Sequence, residues 1–341
     1  MNNKKGTALF KKKFTVCWPH NFSPNILNGG HFVFSLLKEI KNQGIMVDDI
    51  YLGNLKNPKN ILATINRMRQ RAEPYTIMHA QYGSLCGLTS LAIPAQKKIL
   101  TLRGSDWYGA SHGKPIQILH GLMQKSFTRL TLNKYDRIIY SSERMLSESQ
   151  KRNHINTKSS VLPSGINLHT FTPLDKNLAR SRLNLKVLPN EYIICFPVMH
   201  TNNPIKRLFL AEEAVSKANK KYKIKLITLT NILNQDLRTW YCASDLILMT
   251  SIYEGWPNVI KEALACNIPF VSTDVSDLAI VANKTNSCFV SQANSDELAA
   301  RIINCIEHQT TTPREDLTWL AKQFSIKTIA KKLINIYKST L

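Results

Sequence analysis

Paired cysteines, long hydrophobic runs and acidic residues are scarce in this 341-residue sequence. The seven cysteines are odd in number, form no C-x-x-C pair and follow no metal-ligand spacing, which argues against a disulfide framework and a zinc site. The apolar stretch at residues 14–18 is too short for a signal peptide, and no later segment approaches the roughly 18 apolar residues of a membrane span. We therefore expect a cytoplasmic protein that does not cross a membrane and holds no metal.

Two common nucleotide-binding motifs are also missing. No G-x-G-x-x-G follows a predicted strand, which disfavours a dinucleotide-dependent oxidoreductase. No G-x-x-x-x-G-K-[ST] occurs either, so an ATP-binding P-loop is not expected.

The charge of the chain is basic and unevenly distributed. The sequence has 45 Lys and Arg against 23 Asp and Glu, and residues 1–170 alone hold 24 against 8, a net charge of +16. Such a surface attracts nucleic acid, anionic lipid headgroups or phosphorylated substrates, and composition does not choose among them. Because no exposed aromatic and basic cluster or known nucleic-acid module is found, a basic nucleic-acid-binding protein stays only as an alternative.

Short β-branched runs alternate with amphipathic stretches along most of the chain, and this alternation is typical of β-α units that build a parallel sheet. With 43% hydrophobic residues, the chain is long enough for two domains. We predict two doubly wound α/β halves joined within residues 171–190. The predicted strands are 14–18, 49–52, 75–80, 98–102 and 137–141 in the first half, and 192–198, 224–229, 246–249 and 270–272 in the second.

The segment from Ser251 to Cys266 contains the strongest local signal. Its loop around Glu254 follows a predicted strand, and Pro257 and Asn258 begin the next predicted helix, which carries Glu262. Ligands of open α/β sheets bind at that edge. A carboxylate can accept two hydrogen bonds from a ribose diol, and free N–H groups at a helix N-terminus suit a phosphate.

With these residues the sequence resembles the retaining glycosyltransferases of family 4, whose E-x7-E motif matches Glu254 and Glu262. The resemblance extends along nearly the whole chain, through Gly29-Gly30, the segments 79–83 and 102–106, and the segment 163–167 with Phe171. It implies the GT-B fold, with two Rossmann-like domains facing across a cleft. The domains implied are an acceptor-side domain at 1–172 and a nucleotide-sugar-binding domain at 173–324, with the helix at 325–341 packing back on the first.

The resemblance also assigns roles to the acidic pair. It implies that Glu262 holds the donor ribose and that Glu254 lies by the donor sugar, where it helps to stabilise developing positive charge. Gly255, Pro257 and Asn258 belong to the same donor-binding segment. The competing interpretation is a surface helix with an incidental glutamate near each end.

The donor diphosphate needs further partners. Gly29 and Gly30 allow backbone N–H groups to come close to a diphosphate at a helix N-terminus. The family usually places an Arg after the first strand of the second half and a Lys six residues later, and these positions correspond to His200 and Lys206. Because His200 departs from the pattern, either it hydrogen-bonds a phosphate itself or Arg207 replaces the missing Arg; solvated loop residues are the alternative.

Two polar residues follow strands of the first half. His79 ends one strand and Asp106 follows another, so both are candidates for the catalytic cleft. Asp106 is a candidate to orient an acceptor or donor-sugar hydroxyl. The alternatives are a satisfied structural histidine and an aspartate that caps a helix.

The implied reaction is transfer of a sugar, with retention, from a UDP- or GDP-sugar to a lipid-linked or cell-surface glycan. Cationic side chains and backbone N–H dipoles then neutralise the charge of the diphosphate, so we expect no cofactor and no metal. The basic first half suggests an anionic membrane surface as a partner, with the protein peripheral at the inner face of the cell membrane. An amphipathic helix at 116–132 could rest there, and the alternative is an ordinary helix that covers the sheet. A nucleotide-sugar epimerase or a sugar phosphorylase is the alternative enzyme.

Overall fold

The computed structural model describes residues 14–22, 30–55, 57–70, 73–109, 113, 115–152 and 158–341. Two parallel sheets flanked by helices make up the described chain, which confirms the predicted doubly wound α/β class. Two central strands of the second sheet, Leu246–Met249 and Phe270–Thr273, contain only buried residues. Continuous burial of this kind is typical of strands that are covered by helices on both faces.

The first sheet has six strands in the order β2-β1-β3-β4-β5-β6, all paired in parallel. These strands are β1 (Thr15–His20), β2 (Met46–Tyr51), β3 (Tyr75–Ala80), β4 (Ala95–Leu102), β5 (Arg137–Tyr140) and β6 (Lys158–Val161). The helices among them are α1 (His31–Asn42), α2 (Pro58–Arg69), α3 (Ser84–Ser90), α4 (Ser105–Tyr108), α5 (Pro115–Thr131) and α6 (Glu143–Lys151).

The second sheet has five parallel strands in the order β11-β10-β9-β7-β8. These strands are β7 (Glu191–Pro197), β8 (Lys223–Leu229), β9 (Leu246–Met249), β10 (Phe270–Thr273) and β11 (Phe289–Ser291). The helices that follow the first sheet are α7 (Lys176–Arg182), α8 (Leu208–Ala218), α9 (Asn234–Ala243), α10 (Asn258–Ala265), α11 (Leu278–Ala282), α12 (Ser295–Thr311), α13 (Thr318–Lys322) and α14 (Ile326–Thr340).

Strand order reverses beside the first strand of each sheet. β1 lies between β2 and β3, and β7 lies between β8 and β9. Successive connections leave such a pair of strands in opposite directions, so a crevice opens outside their carboxyl ends, and ligands of doubly wound sheets bind there. Each sheet therefore has one position where a ligand is expected.

The chain divides into two compact units, one comprising Met1–Ser111, Ile118–Pro163 and Ile329–Leu341, and the other His112–Gln117 and Ser164–Thr328. Residues 164–172, which the sequence analysis placed in the first domain, are part of the second unit. Phe171 is buried there and stacks on Tyr241, with 6.2 Å between the ring centroids. In the first unit, Tyr337 of α14 accepts a hydrogen bond from the Trp18 indole at 2.7 Å.

Candidate functional site

The candidate site lies at the carboxyl edge of the second sheet, where β7 and β9 are adjacent. The loop after β7 leads into α8, and the loop after β9 leads into α10. The Ile252 N–H donates to the Ile205 carbonyl at 2.9 Å, so the two loops are hydrogen-bonded to each other. The strand-order reversal and these paired loops coincide with the segments that the sequence analysis assigned to donor binding.

A lysine and a glutamate connect the two loops. The Lys206 ammonium contacts the Glu254 carboxylate, with 2.5 Å between Nζ and Oε1, and the Ser251 hydroxyl donates to the same oxygen at 2.7 Å. The side chains of Lys206 and Glu254 are 27% and 17% exposed, so the pair is partly open to solvent. The structure thus brings two of the predicted site residues into direct contact.

Arg207 has a different environment from the one the sequence predicts. Its guanidinium donates to the backbone carbonyls of Thr250 and Ser251 at 2.7 and 2.9 Å, and the Thr250 hydroxyl donates in return to the Lys206 and Arg207 carbonyls. Arg207 itself adopts a left-handed backbone conformation, with φ of 51°. These contacts hold the two loops together and direct the guanidinium at backbone oxygens rather than toward a phosphate.

His200 lies in the loop after β7 with an exposed side chain. Its carbonyl accepts the Asn203 N–H at 3.1 Å, which forms a turn ahead of Lys206. The imidazole is therefore accessible at the same sheet edge as Lys206. Its proposed contact with a phosphate stays a prediction.

Glu262 is buried on α10, where the Tyr241 hydroxyl donates to its Oε2 at 3.2 Å. Burial raises the pKa of the Glu262 carboxyl from its ordinary value of 4.5 to about 7, although hydrogen bonds from Tyr241 and Asn234 and the charge of Lys261 act in the opposite direction. Desolvation penalises the charged form of an acid, and here it outweighs the favourable contacts. Glu262 is consequently an acid that titrates near neutral pH.

The N-terminus of α10 offers backbone donors. Its N-cap, Pro257, makes no side-chain capping bond, and its first turn holds no acidic residue. The first N–H groups of a helix have no intrahelical partner, and the helix dipole favours an anion beside them. The flanking residues are fixed: Ser276 donates to the Gly255 carbonyl at 2.6 Å, and Ser164 donates to Asn258 Oδ1 at 2.7 Å.

A buried lysine on α10 was missed by the sequence reasoning. Lys261 is 0% exposed, and its ammonium donates to the backbone and hydroxyl oxygens of Ser164 at 2.6 and 2.8 Å. It also lies over the rings of Trp256 and Phe324, at 5.3 and 5.6 Å from their centroids. The signal in the sequence was a lysine that, with Glu262 beside it, interrupts an apolar run from Val259 to Ala265, which is unusual for a solvent-facing side chain.

In the first unit, Gly30 is the N-cap of α1 and has a left-handed backbone with φ of 72°. A Cβ at this position would lie 2.7 Å from the Cβ of Phe22, so a larger residue is excluded both by conformation and by space. The first turn of α1 also lacks an acidic residue and a capping side chain. Gly29, the other glycine of the predicted loop, lies outside the described residues.

His79 is enclosed in the first unit. Its Nδ1 lies 2.7 Å from the Tyr337 hydroxyl and its Nε2 lies 2.6 Å from the Thr101 hydroxyl, so both ring nitrogens have partners. Burial, followed by the charge of Arg103, holds the pKa of His79 well below its ordinary value. With 1% exposure, His79 has the environment of a neutral structural residue rather than that of a catalyst in an open cleft.

Asp106 organises the loop after β4. Its carboxylate accepts the backbone N–H groups of Gly83, Arg103 and Gly104 at 2.8 to 2.9 Å, and it is fully buried. Burial raises the pKa of Asp106, while these N–H donors and the Arg103 charge act to lower it. The carboxylate of Asp106 therefore binds backbone N–H groups of the loops that follow β3 and β4, and its proposed contact with a substrate hydroxyl stays a prediction.

Within the described residues, no group of three or more His, Cys, Asp or Glu side chains is arranged to hold a metal ion. None of the described helices combines the length and hydrophobicity needed to cross a bilayer. All seven cysteines are buried.

Comparison with known sequences gives a consistent result. Residues 206–308 match the family model described as glycosyl transferases group 1. The chain is 24% identical over 298 residues to the putative teichuronic acid biosynthesis glycosyltransferase TuaC of Bacillus subtilis, a match that covers 81% of this chain and 74% of that protein. These similarities support a glycosyltransferase.

Solved structures show the same fold. Sucrose-phosphate synthase from Thermosynechococcus elongatus superposes with a TM-score of 0.74 at 16% identity, covering 95% of this chain and 98% of the other. The Anabaena protein HepE in complex with UDP-glucose superposes with a TM-score of 0.69 at 14% identity, covering 95% and 99%. The two Rossmann-like α/β units match the GT-B fold of glycosyltransferases.

Proposed function

We propose that this protein is a retaining glycosyltransferase of family 4, which transfers a sugar from a UDP- or GDP-sugar to a lipid-linked or cell-surface glycan. One observation carries the proposal: Lys206 and Glu254 meet at the carboxyl edge of the second sheet, beside the uncapped N-terminus of α10. A cation and free N–H groups suit a diphosphate, and a carboxylate suits a centre that develops positive charge. The similarity to HepE, whose structure contains UDP-glucose, supports a nucleotide-sugar donor.

In this proposal the site residues act at different moments. Lys206 and the N-terminal N–H groups of α10 stabilise the negative charge that grows on the leaving diphosphate. Glu254, held by Lys206 and Ser251 in the structure, stabilises positive charge on the sugar as the glycosidic bond breaks. Glu262 accepts hydrogen bonds from the donor ribose in both the ground state and the transition state.

The reaction needs no nucleophile from the protein. The acceptor hydroxyl attacks the anomeric carbon from the face that the diphosphate leaves, and a diphosphate oxygen takes the hydroxyl proton. The new glycosidic bond forms, the bond to the diphosphate breaks, and the configuration at the anomeric carbon is retained. Positioning and electrostatic stabilisation then account for the rate.

The acceptor is proposed to be lipid-linked, at an anionic leaflet. The net charge of +16 over residues 1–170 favours such a surface, because each basic side chain near it contributes about 1 kcal/mol. TuaC, a relative of this chain, is named for teichuronic acid biosynthesis. The proposed location is the inner face of the cell membrane.

A thermal-shift screen with UDP-glucose and GDP-mannose tests donor binding. A ligand at 100 times its Kd stabilises a folded protein by about 2.7 kcal/mol, so a bound donor raises the Tm. We expect one of the two nucleotide classes to raise it, and expect Glu262→Ala to reduce the shift. Glu212→Gln, which removes an exposed carboxylate from α8, is the matched control and should keep the wild-type shift.

Product analysis distinguishes transfer from the alternative reactions. A transferase releases the nucleotide diphosphate when a glycan acceptor is added and leaves the donor unchanged apart from slow hydrolysis without it. Conversion of the donor to an isomeric nucleotide-sugar in the absence of acceptor would indicate an epimerase. A product in which the anomeric configuration is inverted would contradict the retaining mechanism.

A further inference from the structure

Helix α5 of the first unit is amphipathic in the reverse sense. Its buried residues are Gly121, Thr128 and Thr131, which are small or polar. Within residues 118–131, the part of α5 that belongs to the first unit, the exposed face carries four large apolar side chains, which are Leu119, Leu122, Met123 and Leu130, at 52%, 54%, 46% and 74% exposure. A surface helix of a globular protein normally turns its apolar stripe toward the core.

The buried face of α5 is held in place by specific contacts. The Thr128 hydroxyl donates to the Asp106 carbonyl at 2.8 Å and accepts the Ser84 N–H at 2.7 Å. Gly109 approaches so closely that a Cβ there would lie 2.5 Å from the Gly121 carbonyl oxygen. The helix therefore cannot rotate to bury its leucines without breaking these contacts, and the apolar row, Leu119, Leu122, Met123 and Leu130, remains outward.

A cluster of cations adjoins this row. Lys125 and Arg129 are one helical turn apart on α5, and Arg152 follows α6. The pKa of Lys125 is lowered by burial and then by the charges of Arg129 and Arg152, with Glu148 acting in the opposite direction. The positive charges are therefore close enough to repel one another, and the cluster attracts an anion.

Arg129 has donors that the described residues do not satisfy. Its Nε and Nη2 atoms are buried without a hydrogen-bond acceptor, and its guanidinium lies 5.7 Å from the centroid of the Trp107 ring. Buried donors without acceptors are rare in folded proteins. A long arginine side chain can turn toward the surface, where a phosphate accepts two parallel hydrogen bonds.

We propose that α5 is a membrane-docking surface, on which the apolar row enters the interface of an anionic bilayer while Lys125, Arg129 and Arg152 bind a lipid headgroup phosphate. The charge complementarity favours a lipid surface as occupant, because apolar side chains and an anion site lie together on one helix. The inference deepens the proposed function, since it names the surface through which the enzyme reaches a lipid-linked acceptor.

Flotation with lipid vesicles tests this surface without any sugar substrate. Wild-type protein is expected to bind vesicles that contain phosphatidylglycerol at least about ten-fold more tightly than pure phosphatidylcholine vesicles, because several cations each contribute about five-fold. Equal binding to the two vesicle types would overturn the proposal.

Matched double variants separate the docking surface from general charge and hydrophobicity. Lys125→Gln with Arg129→Gln is expected to weaken binding by about twenty-five-fold. Its control, Lys38→Gln with Lys41→Gln on α1, removes the same charge from exposed positions and should have a much smaller effect. Equal losses in the two variants would show that only net charge matters, and would refute the site.

The apolar row is tested by Leu119→Gln with Leu130→Gln, which is expected to weaken vesicle binding by at least about thirty-fold. The control pair, Met46→Gln with Leu62→Gln, has closely similar exposure, 53% and 66%, elsewhere on the first unit, and should bind as wild type does. Binding that is equal in the two pairs would overturn the proposal. The proposal would also be overturned if the wild-type protein were a dimer that Leu119→Gln with Leu130→Gln, but not the control pair, converted to a monomer. A second copy of the chain, and not a bilayer, would then cover the apolar row.

Donor binding is measured separately for every variant by the UDP-glucose and GDP-mannose thermal shift. Vesicle binding with no donor shift in the wild type would leave the docking surface standing and remove the proposed function. A rise in Tm with donor, together with no preference for anionic vesicles, would leave the proposed function standing and remove the docking surface.

Discussion

Glu262 offers a direct test of how the structure tunes the candidate site. The carboxyl group is buried and receives a hydrogen bond from Tyr241, and its pKa is raised to about 7 by burial. In Glu262→Gln the amide keeps an oxygen that can accept this hydrogen bond but has no charge to desolvate. The variant therefore removes the ionisation of residue 262 with little change in packing.

The sign of the pH effect follows from the two pKa values. In the unfolded chain Glu262 loses its proton near its ordinary value of 4.5, whereas in the folded protein it keeps the proton until about pH 7. Between these values the folded state binds more protons, so the free energy of unfolding falls as the pH rises. At 1.36 kcal/mol for each unit of pKa difference, the loss is about 3 kcal/mol in total and about 2.5 kcal/mol between pH 5 and pH 8.

Urea unfolding at pH 5, 6, 7 and 8 measures this difference. Relative to wild type, Glu262→Gln should gain about 2.5 kcal/mol in the free energy of unfolding between pH 5 and pH 8. Glu212→Gln on the exposed face of α8 should follow the wild-type profile. Parallel profiles for Glu262→Gln and wild type would show that burial does not shift this carboxyl, and the reasoning would fail.

Four further predictions concern other residues and the metal requirement. Glu254→Gln should lower kcat by about a hundred-fold while the donor KM stays within about three-fold, because its charge acts as the glycosidic bond breaks; an unchanged kcat in steady-state kinetics would contradict this role. Lys261→Met should lower the free energy of unfolding by about 1.5–3 kcal/mol in urea titrations, since it removes the charged hydrogen bonds to Ser164. A variant as stable as wild type would show that these hydrogen bonds do not stabilise the fold. His79→Phe should cost about 1–3 kcal/mol of stability and leave the kinetics of the folded enzyme unchanged, because Tyr337 and Thr101 lose their shared partner; loss of kcat at full stability would restore a catalytic role. Transfer should continue in EDTA, because Lys206 and the α10 N–H groups are proposed to neutralise the diphosphate, and activity that returns only with Mg²⁺ or Mn²⁺ would refute this.

The sequence predicted most of the fold because hydrophobic periodicity was strong. The strands at Tyr75–Ala80 and Leu246–Met249 have the predicted ends, and the strand expected at 98–102 is observed as Ala95–Leu102. Helix α12, with 17 residues, was missed although it is long. Other elements that were missed are short or atypical in composition. Strand β6 has the sequence Lys-Ser-Ser-Val at the sheet edge, and α3 contains Gly87 and three hydroxyl residues, so neither has the periodicity of a standard element.

The domain assignment depended on long-range packing, which periodicity does not report. Residues 164–172 precede the punctuated segment that indicated a hinge, yet Phe171 is buried against Tyr241 in the second unit. The Ile166 N–H donates to the Phe324 carbonyl, and the Ile326 N–H donates to the Ile166 carbonyl, both at 2.8 Å. A prediction of the boundary would have required these contacts between residues that are more than a hundred positions apart.

The polar residues at strand ends show why site prediction from sequence is less certain than fold prediction. A polar side chain after a parallel strand has two uses, because it can bind a ligand or satisfy backbone groups that the strand end leaves unpaired. Asp106 and Arg207 follow strands, as Glu254 and Lys206 do, but their charged groups are directed at backbone N–H and carbonyl groups.

Ligand binding and satisfaction of backbone groups differ in whether the partners of the charged side chain are enclosed in the protein or partly exposed to solvent. The Asp106 carboxylate is enclosed with its N–H donors, so a ligand would have to displace the backbone of its own loop to reach it. Lys206 and Glu254 neutralise each other across two loops and remain partly exposed. An incoming diphosphate can therefore compete for the Lys206 ammonium without displacing the backbone of either loop. Exchange of one charged partner for another is inexpensive compared with burial of an unpaired charge. The Lys206–Glu254 pair is therefore the part of this sheet edge that can respond to a substrate, and the donor-binding hypothesis depends on it more than on Arg207.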